Sequence, residues 1–325
     1  MFIKKDIKKI FKKATLIILL ITFSLLLSYS IQIGAEDSNK ILISVPVGPS
    51  SLPAFYLEKS SDMNIETIIH KNKNIAVSRL INGNTDLALL PTNEAAKLYN
   101  KGVEIKITNI HTWGLFYVLT TKPGLDSWED LKGQEVYEPE KGGPMDIIFS
   151  YIAGKKNIDL KKDLSVVRAK PGEISKLIIN NMAETAVLRE PFVSQVFLKN
   201  EDVKILINLQ DDWKTEMKIR LPQASLVVTD QFSAKNKDLV ISFNEEYKKA
   251  VEWVVEHQSE TAQLGFEYMN TPTEVTMLSY PRLNLVFSKA VSVKEEIDSY
   301  LNLLKRYNPK TFGGIIPDEK FYFHY

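Results

Sequence analysis

The sequence predicts an α/β protein of two lobes, each a mainly parallel sheet flanked by helices, with a hinge between them. Three observations carry this reading. From Lys40 onward, short β-branched runs alternate with amphipathic stretches, the pattern of repeated strand and helix units. Two apolar segments, 116–121 and 224–229, resemble one another and bracket a compact run of further units, as expected where one lobe is inserted into another; chance likeness is the competing reading. The chain has 325 residues, and domains usually run to roughly 100–200.

Taken in order, 41–45 is a strand that breaks at Pro46-Val47-Gly48-Pro49, and Ser50 or Ser51 caps a helix from Leu52 to Leu57 with proline in its first turn. Residues 65–69 form a second strand. Ile75, Val77, Leu80 and Ile81 fall at helical spacing and stop at Gly83. A buried strand, 86–90, leads through Pro91-Thr92-Asn93 into a capped helix at 94–99, and 103–107 is a strand. The inserted run reads as a helix ending at Lys132-Gly133, strand 135–137, helix 144–153, strand 164–167, helix 172–180, strand 186–188, helix 191–198 and strand 203–209. After Thr229 the pattern is helical, at 236–256, 259–269, 272–279 and 293–306, and these helices should pack back on the first lobe. The divisions are therefore 36–118 plus 228–325 for lobe 1 and 119–227 for lobe 2.

Composition narrows the function. Lys and Arg (41) nearly cancel Asp and Glu (40), so the basic excess of a nucleic-acid binder is missing. The absence of cysteine removes disulfides, thiolate metal sites, cysteine nucleophiles and cysteine-linked lipid anchors. The four histidines lack metal-site spacing, so no metal or cofactor is expected, and no phosphate-binding loop or acyl-transfer elbow is present. Lysine runs and the acidic pairs Asp211-Asp212 and Glu245-Glu246 read as solvated surface.

The N-terminus is basic, with six lysines before residue 14, and then uncharged from Ala14 to Leu27, followed by Ile33-Gly34-Ala35. This reads as an export signal over 1–35, either cleaved after Ala35 or kept as an anchor. Removing six lysines and one aspartate leaves 35 basic and 39 acidic residues, a net charge of −4. The protein is expected outside the cytoplasm and not as a lipoprotein.

In open α/β sheets ligands sit beyond the carboxyl ends of the strands, where helices begin. Four helix starts meet that description: Ser50-Ser51 before Leu52, Thr92-Asn93, Gly142-Gly143-Pro144-Met145, and Arg189-Glu190-Pro191. Their free N–H groups suit a small anion, though each also reads as an ordinary cap. Arg189 follows the apolar 186–188 strand, and its planar fork suits carboxylate, sulfonate or phosphate; a salt bridge to Glu190 or another carboxylate is the alternative. Trp113, near Phe116 and Tyr117, offers a flat face to a ligand or else packs in the core. Asp86 reads as a cap acceptor more than a ligand contact.

The order of these motifs resembles the extracytoplasmic substrate-binding proteins of ABC importers, in the SsuA/THI5-like group that binds aliphatic sulfonates, nitrate or thiamine-pyrimidine precursors on a type II periplasmic-binding fold. The carriers are Gly48-Pro49-Ser50-Ser51-Leu52-Pro53, Gly83-Asn84-Thr85-Asp86-Leu87-Ala88 followed by Glu94-Ala95-Ala96, Asp130-Leu131-Lys132-Gly133, Glu190-Pro191, and Val227-Val228-Thr229 with Phe232. The likeness spans roughly 40–310. It implies a monomer that binds a small solute and partners a membrane permease and ATPase. The lipidated cysteine usual in Gram-positive members is absent. An enzyme on the same fold, acting on a pyrimidine-like or carboxylate substrate, and a membrane-anchored sensor domain are the competing readings.

Overall fold

The computed structural model describes residues 40–325, so the predicted export segment lies outside the described residues. Strand β1 (Ile41–Pro46) buries Ile41, Ile43 and Val45 completely. It leads through α1 (Leu52–Ser60) to β2 (Ile65–His70), then α2 (Lys73–Ile81), β3 (Leu87–Pro91), α3 (Thr92–Asn100) and β4 (Ile105–Trp113). The start of α2 is fixed by Asn72, whose side chain accepts from the Asn74 N–H at 2.9 Å. The chain then builds β5 (Phe116–Thr120), β6 (Glu135–Glu138), α4 (Pro144–Lys155), β7 (Ser165–Arg168), α5 (Pro171–Ile179), β8 (Thr185–Arg189), α6 (Phe192–Phe197), β9 (Lys204–Asn208) and α7 (Leu209–Met217). It closes with β10 (Pro222–Thr229), α8 (Asp230–Lys235), α9 (Lys237–Glu256), α10 (Gln258–Met269), α11 (Thr273–Ser279), β11 (Leu285–Lys289) and α12 (Lys294–Tyr307).

The strands form two sheets, ordered β11-β4-β10-β3-β1-β2 and β7-β6-β8-β5-β9. The two-sheet α/β architecture is the expected one, but the pairing is mixed rather than mainly parallel. β1 is parallel to β2 and β3, and β6 to β7 and β8; β5, β10 and β11 run antiparallel to their neighbours. The reason lies in the crossings between sheets. β10 begins where β4 ends, with Pro222 opposite Trp113, so it must run the other way. β9 likewise ends beside the start of β5.

The crossings fall at Gly114-Leu115 and at 218–221, whereas the sequence reading set the divisions at 118/119 and 227/228. Each of the two look-alike apolar segments sits whole in one sheet. What stops β4 is backbone conformation: Gly114 has φ 94 and Leu115 φ 102, both outside the range of a strand. The Gly114 N–H donates to the Leu221 carbonyl at 2.9 Å, tying the two crossings together. A Cβ at position 114 would lie 1.8 Å from Gln210 Cγ, so only glycine fits.

Other expectations change in detail. Ser51 does not cap α1; its hydroxyl donates to the Pro46 carbonyl at 2.6 Å, and the helix starts at Leu52 after a short 3-10 turn. Residues 129–131 form only a 3-10 turn. α7 and β11 were not anticipated: α7 buries just Leu209 and Trp213 among polar neighbours, and β11 is a short edge strand. The C-terminal helices do pack on the first sheet, with Trp253 of α9 stacked on Tyr56 of α1 at 3.9 Å. One apolar core runs through both sheets. It includes Ile107 and Leu304 from the first and its helices, and Val118, Ile147 and Trp213 from the second. Among the described residues no helix is long and apolar enough to cross a membrane.

Candidate functional site

The carboxyl ends of β3, β6, β7 and β8 converge on one cavity of about 720 Å³ between the sheets. Four helices begin on its wall: α2 with Lys73, α3 with Asn93 and Glu94, α4 with Gly143, Pro144 and Met145, and α5 with Pro171 and Glu173. Prolines explain part of this, because Pro144 and Pro171 each occupy the first helical position, where a missing N–H costs nothing. Phe116 and Gln223, at the starts of β5 and β10, form the wall nearest the crossings.

Several of the charges on the wall are paired. Lys73 Nζ donates to Glu94 Oε1 at 2.5 Å. Arg168, ending β7, donates through Nη2 to Asp146 Oδ1 at 2.8 Å and through Nη1 to the Pro139 carbonyl at 3.3 Å. Its Nη1 also lies 2.9 Å from Oε2 of Glu138, the residue opposite it in register at the end of β6. That contact is off the hydrogen-bonding direction, so both Glu138 oxygens are buried without an aligned donor among the described residues. Burial, reinforced by the Asp146 charge and opposed by Arg168, pushes the Glu138 carboxyl up to about 8, so it is protonated at neutral pH.

Arg189 is different. It ends β8, opposite Phe116 on β5, and lines the cavity. Among the described residues no hydrogen-bond acceptor or carboxylate meets its guanidinium. The residue is solvent-accessible, yet protein crowds the guanidinium and the resulting desolvation lowers its pKa from the ordinary value. An arginine so placed still carries its charge, because its intrinsic pKa is above 12. The wall thus presents one uncompensated, desolvated fork amid proline, methionine and phenylalanine surface. Among the described residues no histidine, serine or cysteine lines it, and no group of three His, Cys, Asp or Glu side chains is placed to hold a metal ion.

A sequence model of the family described as "NMT1/THI5 like" matches residues 56–261. The chain belongs to the NMT1/THI5-like family. It is 22% identical over 255 residues to YtlA of Bacillus subtilis (strain 168), a match covering 76% of this chain and 74% of that protein. The crystal structure of an ABC transporter from Parabacteroides distasonis matches with 25% identity and a TM-score of 0.76, covering 88% of this chain and 99% of that one. The periplasmic aliphatic sulphonate binding protein SsuA from Escherichia coli shares the fold at 12% identity and a TM-score of 0.68, with coverage of 89% and 93%.

In this NMT1/THI5-like protein the structure gathers Asn93, Gly143, Met145 and Arg189 on the cavity wall, out of the residues singled out by sequence. The others lie elsewhere, each for a local reason. The carbonyl of Ser50 accepts from His111 Nε2 at 3.0 Å, Ser51 is bound to Pro46, and Leu52 is fully buried. Thr92 is buried, and its hydroxyl meets no hydrogen-bond partner among the described residues. Trp113 donates to the Val286 carbonyl at 2.8 Å, and the Arg220 guanidinium covers its ring at 3.6 Å, so no face is left for a ligand. Gly142 donates to Asp146 Oδ2 at 2.6 Å and accepts from Asn308 at 2.8 Å. Glu190 is buried and paired with Arg282 rather than Arg189. Asp86 accepts from the Leu42 N–H at 2.9 Å, away from the cavity. Sequence reasoning missed Arg168, Glu138, Lys73 and Gln223. Arg168 carried the same signal as Arg189, a cation directly after an apolar strand and before a proline-initiated helix.

Proposed function

We propose that this protein is the extracytoplasmic solute-binding component of an ABC importer, which closes its two lobes over a small organic anion and hands it to a membrane permease driven by an ATPase. The lobes meet at the two crossings, one built on the first sheet and one on the second. The Arg189 fork carries this reading, because a solvent-accessible but crowded cation that meets no carboxylate among the described residues offers an anionic ligand a two-pronged contact. The cavity volume falls in the range of organic ligands, roughly 300–1,000 Å³, and its apolar wall favours a sulfonate or carboxylate on a carbon body over nitrate. No histidine, serine or cysteine is among the described residues of the wall, and the reading is of a protein that binds without chemistry. It works as an exported monomer, held near its permease by no lipid anchor.

The test is a thermal-shift and calorimetric screen of alkanesulfonates, nitrate, pyrimidines and small carboxylates on the purified protein. An organic anion at 100 times its Kd should add about 2.7 kcal/mol of stability, a Tm rise of roughly 4 °C. Turnover of any of these compounds without stabilisation by any would overturn the proposal.

A further inference from the structure

A second buried cluster joins the two sheet units a few residues from the cavity. Glu190, directly after β8, is buried, and its carboxylate accepts from the Ser194 N–H at 3.2 Å, the Ser194 hydroxyl at 3.0 Å and Arg282 Nε at 2.6 Å. Arg282 comes from the other unit, between α11 and β11. Its Nη2 donates to the Ser194 hydroxyl at 2.9 Å and to the Leu278 carbonyl, and its guanidinium lies over the Phe197 ring at 5.2 Å. The Arg282 carbonyl in turn accepts from the Tyr117 hydroxyl of β5 at 3.4 Å.

The covalent links between the units are the crossings at 114–115 and 218–221, so this cluster is a separate, non-covalent tie. We propose that Arg282 and Glu190 form a latch between the lobes that limits how far they separate in the absence of solute and, through the adjacent backbone, positions Arg189 at the cavity. The physical basis is the asymmetry of a buried ion pair. Separating the partners leaves the Glu190 carboxylate in the protein interior with only Ser194 to meet it, and a buried charge that loses its partner is strongly destabilised. Any lobe rotation that pulls Arg282 from Glu190 therefore meets resistance, and widely separated states lose population. The latch sits next to Arg189 in sequence, and the Glu190 N–H donates to the Leu115 carbonyl of the crossing at 3.2 Å, so one short segment touches cavity, crossing and latch. The existence of the tie rests on the geometry alone; its meaning for solute capture rests on the two-lobed transport reading.

The chain has no cysteine, so spin labels can be placed cleanly at Ile81→Cys on the first unit and Met182→Cys on the second, both exposed positions. Pulsed electron-electron distance measurement on the solute-free protein should show a longer, broader distribution in Arg282→Ala and in Glu190→Gln than in the labelled parent, with circular dichroism confirming that each is folded. Glu190→Gln keeps the shape and the Ser194 contacts, and it decides the matter should Arg282→Ala fail to fold. An unchanged distribution in a folded variant, even one with a lowered Tm, would reduce the cluster to ordinary packing and overturn the latch. These distances are read without solute, so a failure of Arg189→Ala to weaken binding of an alkanesulfonate would sink the anion reading without touching this result.

Discussion

Replacing Arg189 by alanine separates binding from folding more cleanly than any other change. The guanidinium ends β8, lines the cavity and meets no acceptor among the described residues, so its removal breaks no hydrogen bond of the folded chain. It also relieves a desolvated charge, and Tm should stay within a degree or rise slightly. For an anionic solute the loss is large. A hydrogen bond to a charged group contributes about 1.5–3 kcal/mol, so loss of a fork contact weakens binding by roughly 10- to 150-fold. Arg189→Lys keeps the charge but not the two-pronged geometry and should fall between. The assay is isothermal titration with the best-binding alkanesulfonate at low and moderate salt, alongside melting curves. An unchanged Kd in Arg189→Ala would refute the reasoning, as would a Tm drop comparable to a core truncation, since either would mean that the fork serves something other than the solute.

Three further outcomes are expected. Glu138, raised to about 8 from 4.5, gives stability that is full below its unfolded value and is lost as pH rises through 8. His70 and His111, both lowered from 6.5 to about 4 by burial, with Arg79 adding to the effect on His70, act oppositely: their contribution is present above 6.5 and is lost as pH falls through 4. Each group changes stability by at most about 1.4 kcal/mol per pH unit, so melting curves should peak near pH 6.5, and Glu138→Gln should flatten the alkaline side; an unaltered alkaline side would contradict the assignment. Gly114→Ala should cost about 2–4 kcal/mol by denaturant titration through its positive φ and the clash with Gln210, and Gln210→Ala in the same chain should recover part of that; a near-neutral single variant would show that the crossing yields easily. Trp213→Ala should cost about 3–5 kcal/mol, because the ring is fully buried between Tyr151 and Tyr300. Trp213→Phe should cost much less, since the indole N–H has no partner among the described residues to lose; equal losses would point to a bond the geometry does not show.

Much of the architecture was legible because strand and helix periods alternate without interruption, and the strand ends could be read from where apolar runs stop. That logic reached Arg189 and the Gly143-Pro144-Met145 helix start. It failed where a residue's role depends on partners distant in sequence. Trp113 is covered by Arg220, 107 positions later, and Glu190 is claimed by Arg282, 92 positions later; neither pairing leaves a local trace. Ser51 turned back to Pro46 because the chain enters α1 through a 3-10 turn, a conformation that the serine-cap pattern does not distinguish. α7 escaped notice because a helix with only Leu209 and Trp213 buried has too narrow an apolar stripe to stand out. The first sheet crossing falls a few residues before the lobe division read from the sequence, where Leu115 takes a positive φ that no composition rule anticipates for leucine.

The core that runs unbroken from Ile107 and Leu304 to Ile147 and Trp213 has a consequence for how the chain comes apart. Side chains from both sheets share this interior, beside separate clusters around Phe55 and Tyr247 in the first unit and Ile174 and Val193 in the second, so unfolding either half exposes buried surface of the other. Heat should therefore dissolve the whole in a single cooperative step, with calorimetric and van't Hoff enthalpies in agreement, where two autonomous halves would melt one after the other. The insertion reinforces this, for the first sheet is assembled from segments on both sides of the second. During synthesis it stays unfinished until β10 and β11 emerge, and its apolar strands must stay shielded for that interval.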